Sequence, residues 1–132
     1  ALYTEDTMIN PTRKAVYIAG PMQGYEDFNF DAFFAAAKEW GDKGYLVGNP
    51  AQKDIDTHGD NVYKSSDGDI SEAEDKGFCL RTALQWDLSW IATQATDIYM
   101  LRGWERSYGA KAEHALAVAL KINIHYQEVS YD

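Results

Sequence analysis

The run Ala15-Val16-Tyr17-Ile18-Ala19 constrains the fold more than any other segment. It is too short to make a useful helix and lacks the polar alternate positions of a half-exposed strand. Such a run reads as a strand covered on both faces, which in small domains means a parallel sheet between two helical layers. It stops at Gly20-Pro21, with Gly24 in the same loop. A helix follows, with Asn29 as its expected cap and Phe30, Phe33, Phe34 and Ala37 at helical spacing; Gly41 and Gly44 end it. Tyr45–Gly48 reads as a second strand closed by Asn49-Pro50. Leu80 to about Ala95 is helical, with Leu80, Leu84, Leu88 and Ile91 on one face. Asp97–Leu101 is a third buried strand, Arg102–Tyr108 a loop, Gly109–Lys121 an alanine-rich helix and Ile122–Tyr126 a last strand.

Strands alternating with helices predict parallel βαβ units. The expected fold is a three-layer α/β/α sandwich with a mostly parallel Rossmann- or flavodoxin-like sheet. The 132 residues suit one domain, spanning 15–132 behind a flexible arm over 1–14. The stretch 51–77, rich in Asp, Ser, Lys and Gly, reads as a polar insertion or lid. Asp54, Asp56 and Gly59 imitate the start of a calcium loop. His58 falls at a ligand position and no glutamate closes the loop, so that reading is rejected.

With 21 acidic against 12 basic residues and a net charge of −9, the chain repels polyphosphate, which disfavours nucleic-acid polymers and anionic membranes as partners. It does not exclude one small anion held by local donors. The single cysteine, Cys79, cannot form an internal disulfide. No apolar run approaches the ~18 residues of a membrane helix, and the first residues are too polar for a signal peptide. These features predict a soluble, cytoplasmic protein. His58, His114 and His125 have no metal-ligand spacing, so no metal is expected.

In open α/β sheets, ligands bind where strands lead through loops into helices. Two loops qualify. Gly20-Pro21-Met22-Gln23-Gly24 lets the backbone approach a ligand, although a strand-to-helix turn uses glycine for geometry alone. Ser107 and Gly109 open a helix whose free amides and serine hydroxyl suit an anion; a plain serine cap explains them equally well. At about 100° per residue, Lys111, His114, Val118 and Lys121 share the solvent side of that helix. Glu113 lies at the border of the apolar side, with Ala117 and Leu120, where a surface glutamate is out of place. Asp87 interrupts the apolar face of its own helix and reads equally as a functional acid or a capped polar partner. Asp97 reads as structural, and of the four tryptophans Trp104 is placed to stack on a base.

Three ordered stretches resemble the nucleoside 2-deoxyribosyltransferase superfamily: Val16–Met22 with Gly24, Asp87-Leu88 onward to Asp97, and Gly103–Ala117. The resemblance implies a retaining mechanism without metal or organic cofactor, with Glu113 as the nucleophile. Tyr17 would hold Glu113, and Asp87 would contact the sugar or assist the leaving base. Six residues before the nucleophile, Ser107 is similar to the phosphate-binding serine of the nucleoside 5′-monophosphate N-glycosidases, where free-nucleoside transferases tend to have aspartate. Gln23 departs from the arginine of those glycosidases; Arg102 and Arg106 are the available substitutes. The expected activity is therefore N-glycosidic cleavage of a (deoxy)nucleoside 5′-monophosphate. Base exchange on free nucleosides and a non-catalytic nucleotide-binding module are the alternatives. A homodimer or higher homo-oligomer is expected from the family habit and from the apolar surface of the Phe30, Phe33, Phe34 and Trp40 helix.

Overall fold

The computed structural model describes residues 13–128; most of the expected arm lies outside the described residues. Four strands form one parallel sheet: β1 (Ala15–Ala19), β2 (Leu46–Gly48), β3 (Asp97–Met100) and β4 (Asn123–Tyr126), in the order β2-β1-β3-β4. Five α-helices surround it: α1 (Phe30–Asp42), α2 (Pro50–His58), α3 (Ile70–Asp75), α4 (Leu80–Gln94) and α5 (Tyr108–Leu120). This is the α/β layered fold that the alternating pattern predicts.

The pleat of β1 divides the core. Val16 and Ile18 join Phe33, Trp40, Tyr99 and Leu101 on the face covered by α1, α2 and α3. Tyr17 and Ala19 join Ile91, Ile98, Met100, Ala110 and Ala117 on the face covered by α4 and α5. Every β1 residue is buried, which explains its unbroken apolar sequence. The chain leaves β1 toward β2 on one side and β3 on the other, so the β1/β3 boundary is the topological switch point where an open α/β sheet holds ligands.

Two expectations are corrected. Residues 51–77 are not a structureless polar stretch. Asn49 caps α2 by accepting from the Ala51 amide at 3.0 Å, Pro50 occupies its first turn, and Ala51, Val62, Tyr63 and Ala73 enter the core. Polar composition hid this because the buried positions are few and spread over short elements. Asn29 does not cap α1 through its side chain. Asp27, Phe28 and Asn29 have φ of 47°, 55° and 65°, a left-handed turn, and Asn29 Nδ2 donates instead to the Pro21 carbonyl at 3.0 Å. Asp27 is tied to Ser65 by its amide (2.6 Å to the carbonyl) and by its carboxylate, which accepts from the Ser65 amide at 2.8 Å. These bonds hold a backbone that costs roughly 1–2 kcal/mol per residue.

Gly48 ends β2 beneath Trp90 of α4: a Cβ there would meet Trp90 Cε3 at 2.7 Å. The Trp90 ring also packs 6.1 Å from that of Tyr17. Gly48→Ala is therefore expected to lose roughly 1–3 kcal/mol by overpacking, measured as a lower urea midpoint at unchanged slope.

Candidate active site

A cavity of about 460 Å³ opens at the carboxyl ends of the strands, within the usual range for small-molecule sites. The segment after β1 contributes Gly20, Pro21, Met22 and Gln23; α2 contributes Pro50 and Asp54; α4 contributes Leu84 and Asp87; the start of α5 contributes Ser107, Gly109 and Glu113.

Glu113 owes its place to helix periodicity. It shares the inward side of α5 with Ala110 and Ala117, three residues before and four after it, and is 5% exposed. Small neighbours let α5 approach the sheet, so the carboxyl reaches the residue that β1 projects to that face. The Tyr17 hydroxyl donates to Glu113 Oε2 at 2.6 Å, and both groups are buried. Burial, and next the charge of Asp87, push the Glu113 carboxyl well above the ordinary range; the hydrogen bond from Tyr17 opposes the rise. Burial raises Asp87 to about 6, with Glu113, Tyr17 and Lys53 pulling it down. The pair therefore keeps a proton at pH values where separate surface carboxylates have none. Burial and then the Glu113 and Asp87 charges raise Tyr17, which remains a protonated donor.

The expected trio of Tyr17, Asp87 and Glu113 is thus brought together. Gly20, Met22, Gln23, Ser107 and Gly109 also line the cavity. Gly24 does not; its amide donates to the Gly68 carbonyl at 2.9 Å, joining two loops. Trp104 does not line it either. The turn Trp104–Arg106 carries the indole away, to stack on His114 with centroids 4.3 Å apart. Arg102 donates through Nε to the Glu128 carbonyl, while Arg106 lines the cavity beside Ser107. Ser107 Oγ accepts from the Ala110 amide at 3.1 Å as the cap of α5, leaving its O–H free to donate into the cavity. Asp97 is structural: its carboxylate accepts from Thr96 Oγ1 and meets His125 Nε2, both at 2.7 Å.

The sequence reading missed Asp54 as a cavity residue. It is 8% exposed, and burial, then the Asp87 charge, raise it to about 7. The signal was present: Asn49-Pro50 announces a helix start, and Ala51, Asp54 and Ile55 repeat at helical spacing. Also missed was the aromatic wall of Tyr25, Phe28, Phe33, Tyr63 and Phe78. Among the described residues, no group of three or more His, Cys, Asp or Glu side chains suits a metal ion, and no helix is long and apolar enough to cross a membrane.

The fold and cavity define a parallel α/β domain with a carboxylate-bearing pocket at its switch point. The chain belongs to the family described as a domain of unknown function, DUF4406, whose model matches residues 14–126. No curated protein and no solved structure matches it.

Asp54 ties stability to pH. Below about pH 4 its carboxyl is protonated in both folded and unfolded chains. As pH rises toward 7 only the unfolded chain ionises, so stability drains over that interval and stays low above it. Asp54→Asn is expected to flatten this slope and to stabilise the fold at pH 8 by roughly 1–3 kcal/mol, at about 1.4 kcal/mol per tenfold of acidity. Urea unfolding at pH 5 and pH 8 measures both.

Proposed function

We propose that this chain is an N-glycosidase of (deoxy)nucleoside 5′-monophosphates, working through a covalent glycosyl–Glu113 intermediate. The observation that carries the reading is the buried 2.6 Å hydrogen bond from Tyr17 to Glu113 in a cavity shared with Asp87. Tyr17 holds one Glu113 oxygen, and with the proton of the pair on Asp87 the other oxygen is able to attack an anomeric carbon. The C1′–N bond breaks with its electron pair leaving on the base, while Glu113 bonds to C1′. Positive charge developing on the sugar draws the pair's negative charge onto Glu113, and Asp87 beside it suits a sugar hydroxyl. The pair's proton passes from Asp87 to the departing base. Water then adds to C1′ as the C1′–Glu113 bond breaks, the proton it loses returns to the pair, and free base and sugar 5-phosphate leave.

Arg106 and Ser107 support a nucleotide over a free nucleoside. Arg106, Ser107 and Gly109 at the start of α5 all line the cavity, a set of donors suited to a phosphate. Arg106 takes the part that Gln23 cannot. The reading keeps the expected homo-oligomer, on altered grounds. Phe30, Phe33 and Trp40 are absorbed by the protein's own core, whereas Leu80 and Tyr108 stand exposed on the cavity rim, where a second copy would cover them.

Incubation with a panel of nucleoside 5′-monophosphates, with and without a second base, tests the activity. Glu113→Gln is expected to lower kcat on the order of a thousandfold or more while thermal unfolding stays close to wild type. Retention of near-normal turnover by Glu113→Gln or Glu113→Ala would falsify the nucleophile assignment. Ser107→Ala is expected to lower kcat/KM for a monophosphate roughly tenfold to hundredfold and barely alter activity on the matching nucleoside. Equal losses on both would reduce Ser107 to a helix cap and favour free nucleosides as substrates.

A further inference from the structure

The sheet has two open edges, and they differ. β2 is three residues long; Leu46 donates inward to the Lys14 carbonyl, so only Val47 turns its backbone outward. β4 is the longer edge. The Asn123 and Gln127 amides donate to the Thr96 and Met100 carbonyls at 3.1 and 2.8 Å. Alternation along the strand then turns the N–H and C=O of Ile124 and Tyr126 away from β3. Among the described residues nothing bonds to these four groups. Natural edge strands are guarded by lysine, proline, a bulge or a covering loop. Asn123–Tyr126 carries neither charge nor proline, and its end residues are exposed. Two copies of a chain with net charge −9 repel each other, and an uncharged strand is where they approach at least cost. Beside the edge lies an apolar strip. The Tyr126 hydroxyl meets His114 Nε2 of α5 at 2.8 Å, and Trp104 stacks on His114. Val118 follows His114 by one helical turn on the same side of α5; it is 54% exposed, and Tyr126 is 53% exposed.

We propose that two copies of this chain pair through β4, antiparallel about a two-fold axis at His125, to make one eight-stranded sheet. In this register Ile124 and the partner's Tyr126 exchange both backbone bonds, and symmetry repeats the pair, giving four hydrogen bonds. The neighbouring registers do worse. With the axis at Ile124, Tyr126 faces the partner's Ile122, whose amide already donates to the Ala117 carbonyl. With the axis at Tyr126, Ile124 faces the partner's Glu128, whose carbonyl already accepts from Arg102 Nε. The side chains agree with the central register. Ile124 lies against the partner's Tyr126 on the α5 face, an aliphatic–aromatic pair of the kind that stabilises sheets. On the other face Asn123 meets the partner's Gln127, and the two His125 residues meet at the axis. No pair sets two acids against each other. Both α5 helices lie on one face of the joined sheet, on either side of the seam, with their His114 and Val118 strips turned toward it. The seam is separate from the cavity rim, leaves the two cavities open at opposite ends of the sheet, and does not rest on the glycosidase reading.

Sedimentation equilibrium of the full chain at micromolar concentration is expected to give twice the 14.9 kDa chain mass. Ile124→Pro removes an outward N–H and spares the ladder to β3. It is expected to weaken the dimer roughly tenfold to hundredfold, with the far-ultraviolet circular dichroism of the fold retained. Ile124→Val keeps the N–H and is expected to stay within about threefold of wild type. Cross-linking in a Cys79→Ser background reads the register. His125→Cys is expected to oxidise to a covalent dimer, because residues facing each other in a pair without backbone bonds lie about 4.5 Å apart at Cα. Asn123→Cys and Gln127→Cys are expected to cross-link when mixed and not when each is alone. That pair decides the register if loss of the His125–Asp97 bond unfolds the first variant, and it decides the proposal if Ile124→Pro fails to fold. A monomer at every concentration overturns the proposal. So does a dimer indifferent to a folded Ile124→Pro, or one whose cross-links do not follow the register; either result gives the contact to another face, such as the cavity rim.

Discussion

The hydrogen bond between Tyr17 and Glu113 depends on the pleat of β1, and much of the molecule is arranged around that dependence. Alternate residues of a strand point to opposite faces, so Tyr17 reaches α5 only because Val16 and Ile18 face α1. The pairings of Tyr17 with Gly48 on one side and Ile98 on the other fix this register. A slip of one residue would send the phenol to the wrong helical layer and leave a buried carboxyl without its donor. Both faces of β1 are packed, and so the register that makes the core also makes the site.

Electrostatics give the cavity its character. Three acids, Asp54, Asp87 and Glu113, converge in a largely apolar space, all with protons held more tightly than usual. The repulsion that Asp87 exerts on Asp54 and on Glu113 is relieved by a proton or by a cation. The same arrangement costs stability, because each acid is buried either neutral or beside a like charge.

What could be read from the sequence follows from where the signals lie. β1, β3 and α5 are specified by runs whose own spacing predicts their burial. Asp87 and Glu113 are legible as polar positions on apolar faces, whereas Tyr17 is legible only through the family resemblance. Of the α4 face read as apolar, Ile91 alone is buried and Leu80 is exposed. The left-handed turn at Asp27–Asn29 rests on bonds to Ser65 and Pro21, contacts that local spacing does not reveal. Tyr63 and Asp54 lie in a segment whose average polarity masks a few inward positions. Trp104 was misplaced because a single turn decides which side of α5 an indole falls on, and aromatic partners in His114 and Tyr126 outweigh nearness in sequence to Ser107.

The stitched loops have a kinetic consequence. The Gly24 amide bonded to the Gly68 carbonyl, and the Asp27–Ser65 pair, tie the aromatic wall into one anchored unit. The rim is different: Gln23, Leu80, Arg106 and Tyr108 are exposed side chains at its edge. Rotamer changes of exposed side chains take picoseconds to nanoseconds, whereas breaking and remaking a tied loop belongs to far slower times. Access to the cavity through such a doorway is paced by turning side chains rather than by the remaking of a tied loop.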